Sequence, residues 1–184
     1  MTRFLTLVAA AALLLAGPPS LAAADAEADK AAIAKAVDAS IGWFANKDFD
    51  LLFRTMADDP DLFFFSPDSQ GTVHGIEAFR KLTPVWRDPG ARYLSHEVRE
   101  LRIHLHPSGE VAWFSAILED CGEYSGQKGC WEDTRWTGVL EKREGRWVIM
   151  QQHFSFASDH VRARVEKRVR EELAKQTPPP SPAP

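Results

Sequence analysis

His153 is the residue in this chain best suited to acid–base chemistry. It stands near the end of the run Gly-Arg-Trp-Val-Ile-Met-Gln-Gln-His-Phe-Ser, from Gly145 to Ser155. On a strand, side chains alternate between two faces, so Trp147, Ile149, Gln151, His153 and Ser155 share one. Its two apolar members predict that this face points inward. An imidazole there changes charge near neutral pH and can exchange a proton with a bound molecule. The bland alternative is a structural histidine held by hydrogen bonds, with Gln151 and Ser155 as its partners instead of polar pocket lining. Arg135 lies on the preceding strand. A three-residue loop over Arg143-Glu144-Gly145 sets Arg135 opposite His153, whereas a two-residue loop sets Trp136 there. Glycine in the third loop position favours the former. An inward Arg135 would hold a carboxylate or enolate; an outward one is an exposed charge or a partner of Glu132 or Asp133.

Aromatic residues supply the walls such chemistry would need. The chain has six tryptophans. Trp43, Phe65, Trp86 and Trp113 are candidates for holding a flat or polycyclic molecule; core packing is the competing use of each. Asp61 and Glu119 are carboxylates with no firm placement. His104 and His106 share a face near a strand end, with His96 upstream, but no third ligand follows at a convincing spacing, so no metal site is expected. Motifs for phosphate, dinucleotide or serine-hydrolase chemistry are also missing, and no cofactor is expected.

The elements that position these residues fall into two blocks. Residues 25–46 carry Ile33, Val37, Ile41 and Phe44 at helical spacing. Asp48 is a candidate N-cap for a second short helix. Short strands are expected at 62–65 and 72–73, then a third helix over 75–86 that Pro84 ends or kinks. From Tyr93 the period changes to that of strands. The first, 93–105, shifts its alternation near Glu100, which predicts a β-bulge. Strands over 111–118, 131–142 and 146–157 complete an antiparallel meander. A charged helix with a narrow valine stripe follows over 159–175, and a proline-rich tail occupies 177–184.

Residues 1–24 read as a cleavable export signal: Arg3, an apolar run from Phe4 to Ala16, a Gly-Pro-Pro break, then three alanines. That run is too short for a permanent membrane span, so a periplasmic or secreted protein without stable membrane insertion is expected. The chain has a formal charge of −4; loss of Arg3 with the leader adds one unit, which argues against a nucleic-acid partner. The two cysteines, Cys121 and Cys130, flank a turn-rich segment and are expected to form a disulfide in an oxidising compartment.

Three stretches carry a resemblance to known proteins: Phe64-Phe65-Ser66-Pro67, Gly71 through Phe79, and Arg135 through Ser155. Together with the order of elements, they resemble the SnoaL-like domains of the nuclear transport factor 2-like superfamily, over residues 28–158. The resemblance implies an α+β fold, a cone-shaped curved antiparallel sheet wrapped around N-terminal helices. The C-terminal helix, 159–176, is then an addition to a domain spanning 25–158. It also implies a deep apolar pocket and, often, a homodimer formed through the sheet. Superfamily members include isomerases, cyclases, dehydratases, ligand-binding proteins and association modules. In ketosteroid isomerases the general base is an aspartate before a proline; here the matching pair is Ser66-Pro67, which speaks against that mechanism. The expectation is therefore a protein binding a small, mostly apolar molecule. The alternatives are an isomerase, cyclase or dehydratase using His153, and a homodimeric interaction module.

Overall fold

The computed structural model describes residues 21–67 and 71–176. The export signal, except its last four residues, lies outside them, as do Asp68 and the proline-rich tail.

Helix α1 spans Leu21–Gly42 and runs into a 3-10 turn at Trp43–Ala45. Ile33 and Val37, one turn apart on α1, are fully buried. Helix α2 spans Phe49–Thr55 and starts as the sequence predicts: the Asp48 carboxylate accepts a hydrogen bond from the Leu51 amide at 2.8 Å, satisfying one of the amides a first helical turn leaves open. Strands β1 (Phe63–Phe65) and β2 (Val73–His74) follow. The expected third helix divides into α3 (Ile76–Arg80) and α4 (Thr83–Arg87). Pro84 lies in the first turn of α4, where its missing N–H costs nothing, and it could not have continued α3.

Four long strands form the rest of the sheet: β3 (Arg92–Leu105), β4 (Val111–Tyr124), β5 (Gln127–Arg143) and β6 (Arg146–Ser155). The sheet order is β2-β1-β6-β5-β4-β3. β1 runs parallel to β6, a pairing the meander did not announce; the other neighbours are antiparallel. β4 and β5 continue well past the expected ends at 118 and 131. Only Ser125 and Gly126, both at positive φ (51° and 81°), form the turn between them, a two-residue hairpin whose twist matches the strands. Helix α5 (Ser158–Gln176) closes the described chain.

Bulges bend the sheet into its curve. Glu100 is the extra residue on β3, at φ 53°, where the sequence predicts one. Asp133 is its counterpart on β5, at φ 48°. On β6 the partner of Val139 is Gln151 while that of Leu140 is Ile149, so Met150 is unpaired. Each extra residue reverses which side chains face inward beyond it. The helices fill the concave side, where Leu52 of α2, Met56 just after it and Ile33 of α1 meet Phe114, Trp136 and Phe154 of the sheet. Gly138 makes room for this packing: a Cβ there would lie 2.5 Å from the Phe114 ring and 2.6 Å from the Gln151 carbonyl oxygen. Among the described residues no helix is long and apolar enough to cross a membrane.

Candidate functional site: an aromatic cavity at the wide end of the cone

The bulges separate a solid half of the cone from a hollow one. Toward the bend of the β3–β4 and β5–β6 hairpins, the inward side chains interlock. Toward the β4–β5 turn they enclose a cavity of about 680 Å³. The cavity persists there because successive inward positions are small. Asp120 pairs with Trp131 across β4 and β5, and the next inward pair is Gly122 with Gly129. Two facing glycines leave bare backbone where side chains would otherwise meet; a Cβ on Gly129 would touch nothing within 4 Å. The Cys121–Cys130 disulfide links the pair between them, holding the two strands together beside the opening.

The walls are aromatic. Trp43 and Trp86, whose ring centroids are 5.3 Å apart, stand on the helical side with Phe44. Phe44 stacks on Tyr124 at 6.3 Å. Trp131 packs against Phe154 at 5.3 Å on the sheet side. Polar atoms are few. Gln152, 2% exposed, accepts a hydrogen bond from the Trp136 indole N–H at 3.0 Å, and its amide nitrogen faces Met56 Sδ at 3.6 Å. The Ser40 hydroxyl donates to the Val37 carbonyl.

Among the described lining residues, Asp120 alone carries a carboxyl group. Burial pushes its pKa above the ordinary aspartate value, and the nearby His96 imidazole partly offsets this. The Tyr124 hydroxyl is pushed up as well, by burial and by the negative charge of Asp120. His96 neighbours Asp120 across β3 and β4, but its ring nitrogens meet other groups: Nε2 lies 3.1 Å from the Asp38 carboxylate and Nδ1 lies 3.0 Å from the Tyr93 hydroxyl.

Sequence reasoning reached part of this lining. Trp43 and Trp86 are in it. His153, Gln151 and Ser155 are not: the Met150 bulge breaks the predicted run after Ile149, so Gln152 and Phe154 turn inward and the three polar residues turn to the outer face. The same bulge, with a two-residue turn at Glu144-Gly145, sets Thr137 opposite His153 and Arg135 opposite Ser155, in place of the expected Arg135–His153 pair. His153 instead packs on Phe65, ring to ring at 5.1 Å. Phe65 and Trp113 are each 45% exposed on that outer face. Trp113 stacks on His104 at 5.7 Å. Asp120, Tyr124, Trp131, Gln152 and Phe154 were missed. The signal for Asp120 was present: Ala112, Phe114, Ala116 and Leu118 alternate inward, and Asp120 is the next member once the strand is carried past 118.

An open, curved six-stranded sheet closed over helices, with an aromatic cavity at its mouth, defines an α+β cone of the NTF2-like kind. Residues 33–159 match the SnoaL-like domain, and the chain belongs to that family. Solved structures share the fold. An NTF2-like protein from Cytophaga hutchinsonii superposes with a TM-score of 0.56 at 18% identity, over 70% of this chain and 98% of its own. The association domain of C. elegans CaMKII gives 0.54 at 20%, over 71% and 97%. A candidate scytalone dehydratase from Novosphingobium aromaticivorans gives 0.60 at 13%, over 71% and 85%. At these identities the likeness concerns the fold alone. No curated protein matches the sequence.

Proposed function

We propose that this is an exported SnoaL-like protein that binds a small, mostly apolar molecule in the cavity of the cone. The observation that carries the reading is the cavity itself: about 680 Å³, within the range of small-molecule sites, walled by Trp43, Trp86, Trp131 and Phe154, with few polar groups. Export is supported by the leader pattern of residues 1–24 and by the Cys121–Cys130 disulfide, a bond that persists in oxidising compartments. The test is a thermal-shift screen of aromatic and apolar compounds, run beside Gly129→Leu. That side chain projects into the open space at the cavity wall, so it should abolish the shift while the protein stays folded. A compound that stabilises both proteins equally binds elsewhere and counts against the reading.

A second reading, turnover, rests on Asp120. A carboxyl whose pKa is raised by burial in a cavity is a candidate proton-transfer group, and the Novosphingobium neighbour is a candidate dehydratase. In this reading Asp120 takes the role expected of His153.

Self-association is a separate and compatible proposal. Phe65, Trp113, Arg135, Gln151, His153 and Ser155 gather on the outer face of the sheet, which exposes Phe65 and Trp113. A second copy would cover them, as the association-domain neighbour from C. elegans invites one to ask. A sedimentation mass equal to the monomer at micromolar concentration would end that proposal.

A further inference from the structure

Three features of the cavity share a sign. Its aromatic residues surround the space from opposite sides, with Trp43, Phe44 and Trp86 on the helices and Tyr124 and Trp131 on the sheet. The face of an aromatic ring carries partial negative charge and attracts cations. Among the described residues that line the space, none is lysine, arginine or histidine, so Asp120 supplies the only full charge. The nearest arginines of the sheet are engaged elsewhere: Arg92 pairs with Glu123, and Arg99 pairs with Glu119 at 2.7 Å and Asp133 at 2.8 Å.

Asp120 is also unlike the other half-buried carboxylates. Asp29 accepts from Lys142 and from the Trp147 indole, and Asp59 accepts from Arg143. The Asp120 carboxyl has no hydrogen-bond or ion-pair partner among the described residues. It sits on the inward face between His96 and Trp131, with the side-chain-free Gly122–Gly129 pair next to it. A carboxylate held against an apolar wall without a partner is costly unless a counter-charge arrives. Among the described lining residues none supplies one, and His96, across the strand, offsets the burial only in part while its ring nitrogens meet Asp38 and Tyr93; a cationic ligand would complete the balance.

We infer that the ligand is an organic ammonium ion, an amine or quaternary ammonium group on an aromatic or alkyl body, with Asp120 as its counter-charge and Trp43, Trp86 and Trp131 as the ring faces around it. This rests on the cavity being a binding site. It narrows that reading, because an apolar cavity alone would prefer neutral molecules and an aromatic wall with a carboxylate repels anions. A protonated Asp120 donating to a carbonyl oxygen is the competing arrangement, and it predicts the opposite preference.

Calorimetry at pH 7.5 with three probes of one shape separates these outcomes: 1-naphthylmethylammonium, 1-naphthylmethanol and 1-naphthoate. The ammonium ion should bind at least about tenfold more tightly than the alcohol, and the naphthoate should not bind measurably. Asp120→Asn should reduce the ammonium advantage to less than about twofold, and Asp120→Glu should keep part of it; circular dichroism checks that both variants are folded. Equal affinity for ammonium and alcohol, a preference for naphthoate, or an ammonium preference that survives Asp120→Asn overturns the inference and leaves the cavity reading in place. If none of the three probes binds, the cavity reading falls and the inference falls with it.

Discussion

Trp136 and Gln152 form the polar joint at the boundary between the solid and hollow halves of the cone, and their coupling can be measured. Trp136 is fully buried and Gln152 is 2% exposed. The indole N–H meets Gln152 Oε1 at 3.0 Å, and among the described residues the amide's other side-chain hydrogen bond is to the weakly accepting sulfur of Met56. Removing either partner therefore strands the other without water. Trp136→Phe leaves Oε1 unsatisfied, at a cost of about 1–3 kcal/mol, and also gives up part of the buried indole surface, about 1 kcal/mol more. Gln152→Met strands the indole N–H at a similar cost. The double variant strands neither group, so its destabilisation should fall short of the sum of the singles by about 1–3 kcal/mol. At about 2–4 °C per kcal/mol for a chain of this size, the singles should lower Tm by several degrees and the double variant should recover part of the loss. Urea unfolding followed by circular dichroism gives the four free energies. If the singles add to within about 0.5 kcal/mol, the hydrogen bond has no energetic consequence and the reasoning fails.

Asp120→Asn should stabilise the unliganded protein at pH 7. Because burial raises the pKa of Asp120, the folded state resists its ionisation, so stability falls as pH rises from 3.8 through the higher folded value. The groups facing Asp120 are His96 on β3 and Tyr124 on β4, with Asp38 of α1 behind His96. The variant's advantage should vanish below pH 3.8, and a Tm difference that stays constant across that range would contradict the burial argument. Reducing the disulfide, whose ends are nine residues apart, should cost up to about 3 kcal/mol in a chain-entropy account, read as a fall in Tm on adding dithiothreitol. Gly138→Ala should destabilise by about 1–3 kcal/mol through overpacking against Phe114, and Phe114→Leu in the same chain should restore part of that loss. An unchanged urea midpoint for Gly138→Ala would show that the sheet yields more easily than its packing implies.

Most of the fold was legible in the sequence because its signals are local. The Asp48 cap, the bulge at Glu100 and the break before Pro84 each depend on a few adjacent residues, and the structure has all three. The parallel pairing of β1 with β6 depends on residues about 90 positions apart and left no local mark. The cavity was legible only where period and face agree. Trp43 and Trp86 lie on helices and turns, where burial follows from spacing. On β6 the reading failed because Met150 has no turn-forming residue type to advertise a bulge, whereas the bulge at Glu100 interrupts a visible alternation; the bulge at Asp133 was not read from the sequence. Asp120 was passed over because Cys121 through Cys130 looks like a loop, with three glycines, a serine and charges. Two of those glycines in fact sit within paired strands and create the space.

The unpaired Met150 also makes the choice of face on β6 a matter of register. Were Met150 taken into the ladder opposite Val139, each later residue would move one place along β5, bringing Gln151, His153 and Ser155 to inward positions and sending Gln152 and Phe154 to the surface. Deleting its codon would leave the faces as they are, because Gln152 and Phe154 keep Gly138 and Trp136 as partners. For this architecture, then, the gain or loss of one bulge at constant length exchanges a whole set of lining side chains in one event, where point substitutions would need several. Relatives of equal length could therefore present different chemistry inside the cone from nearly the same residues.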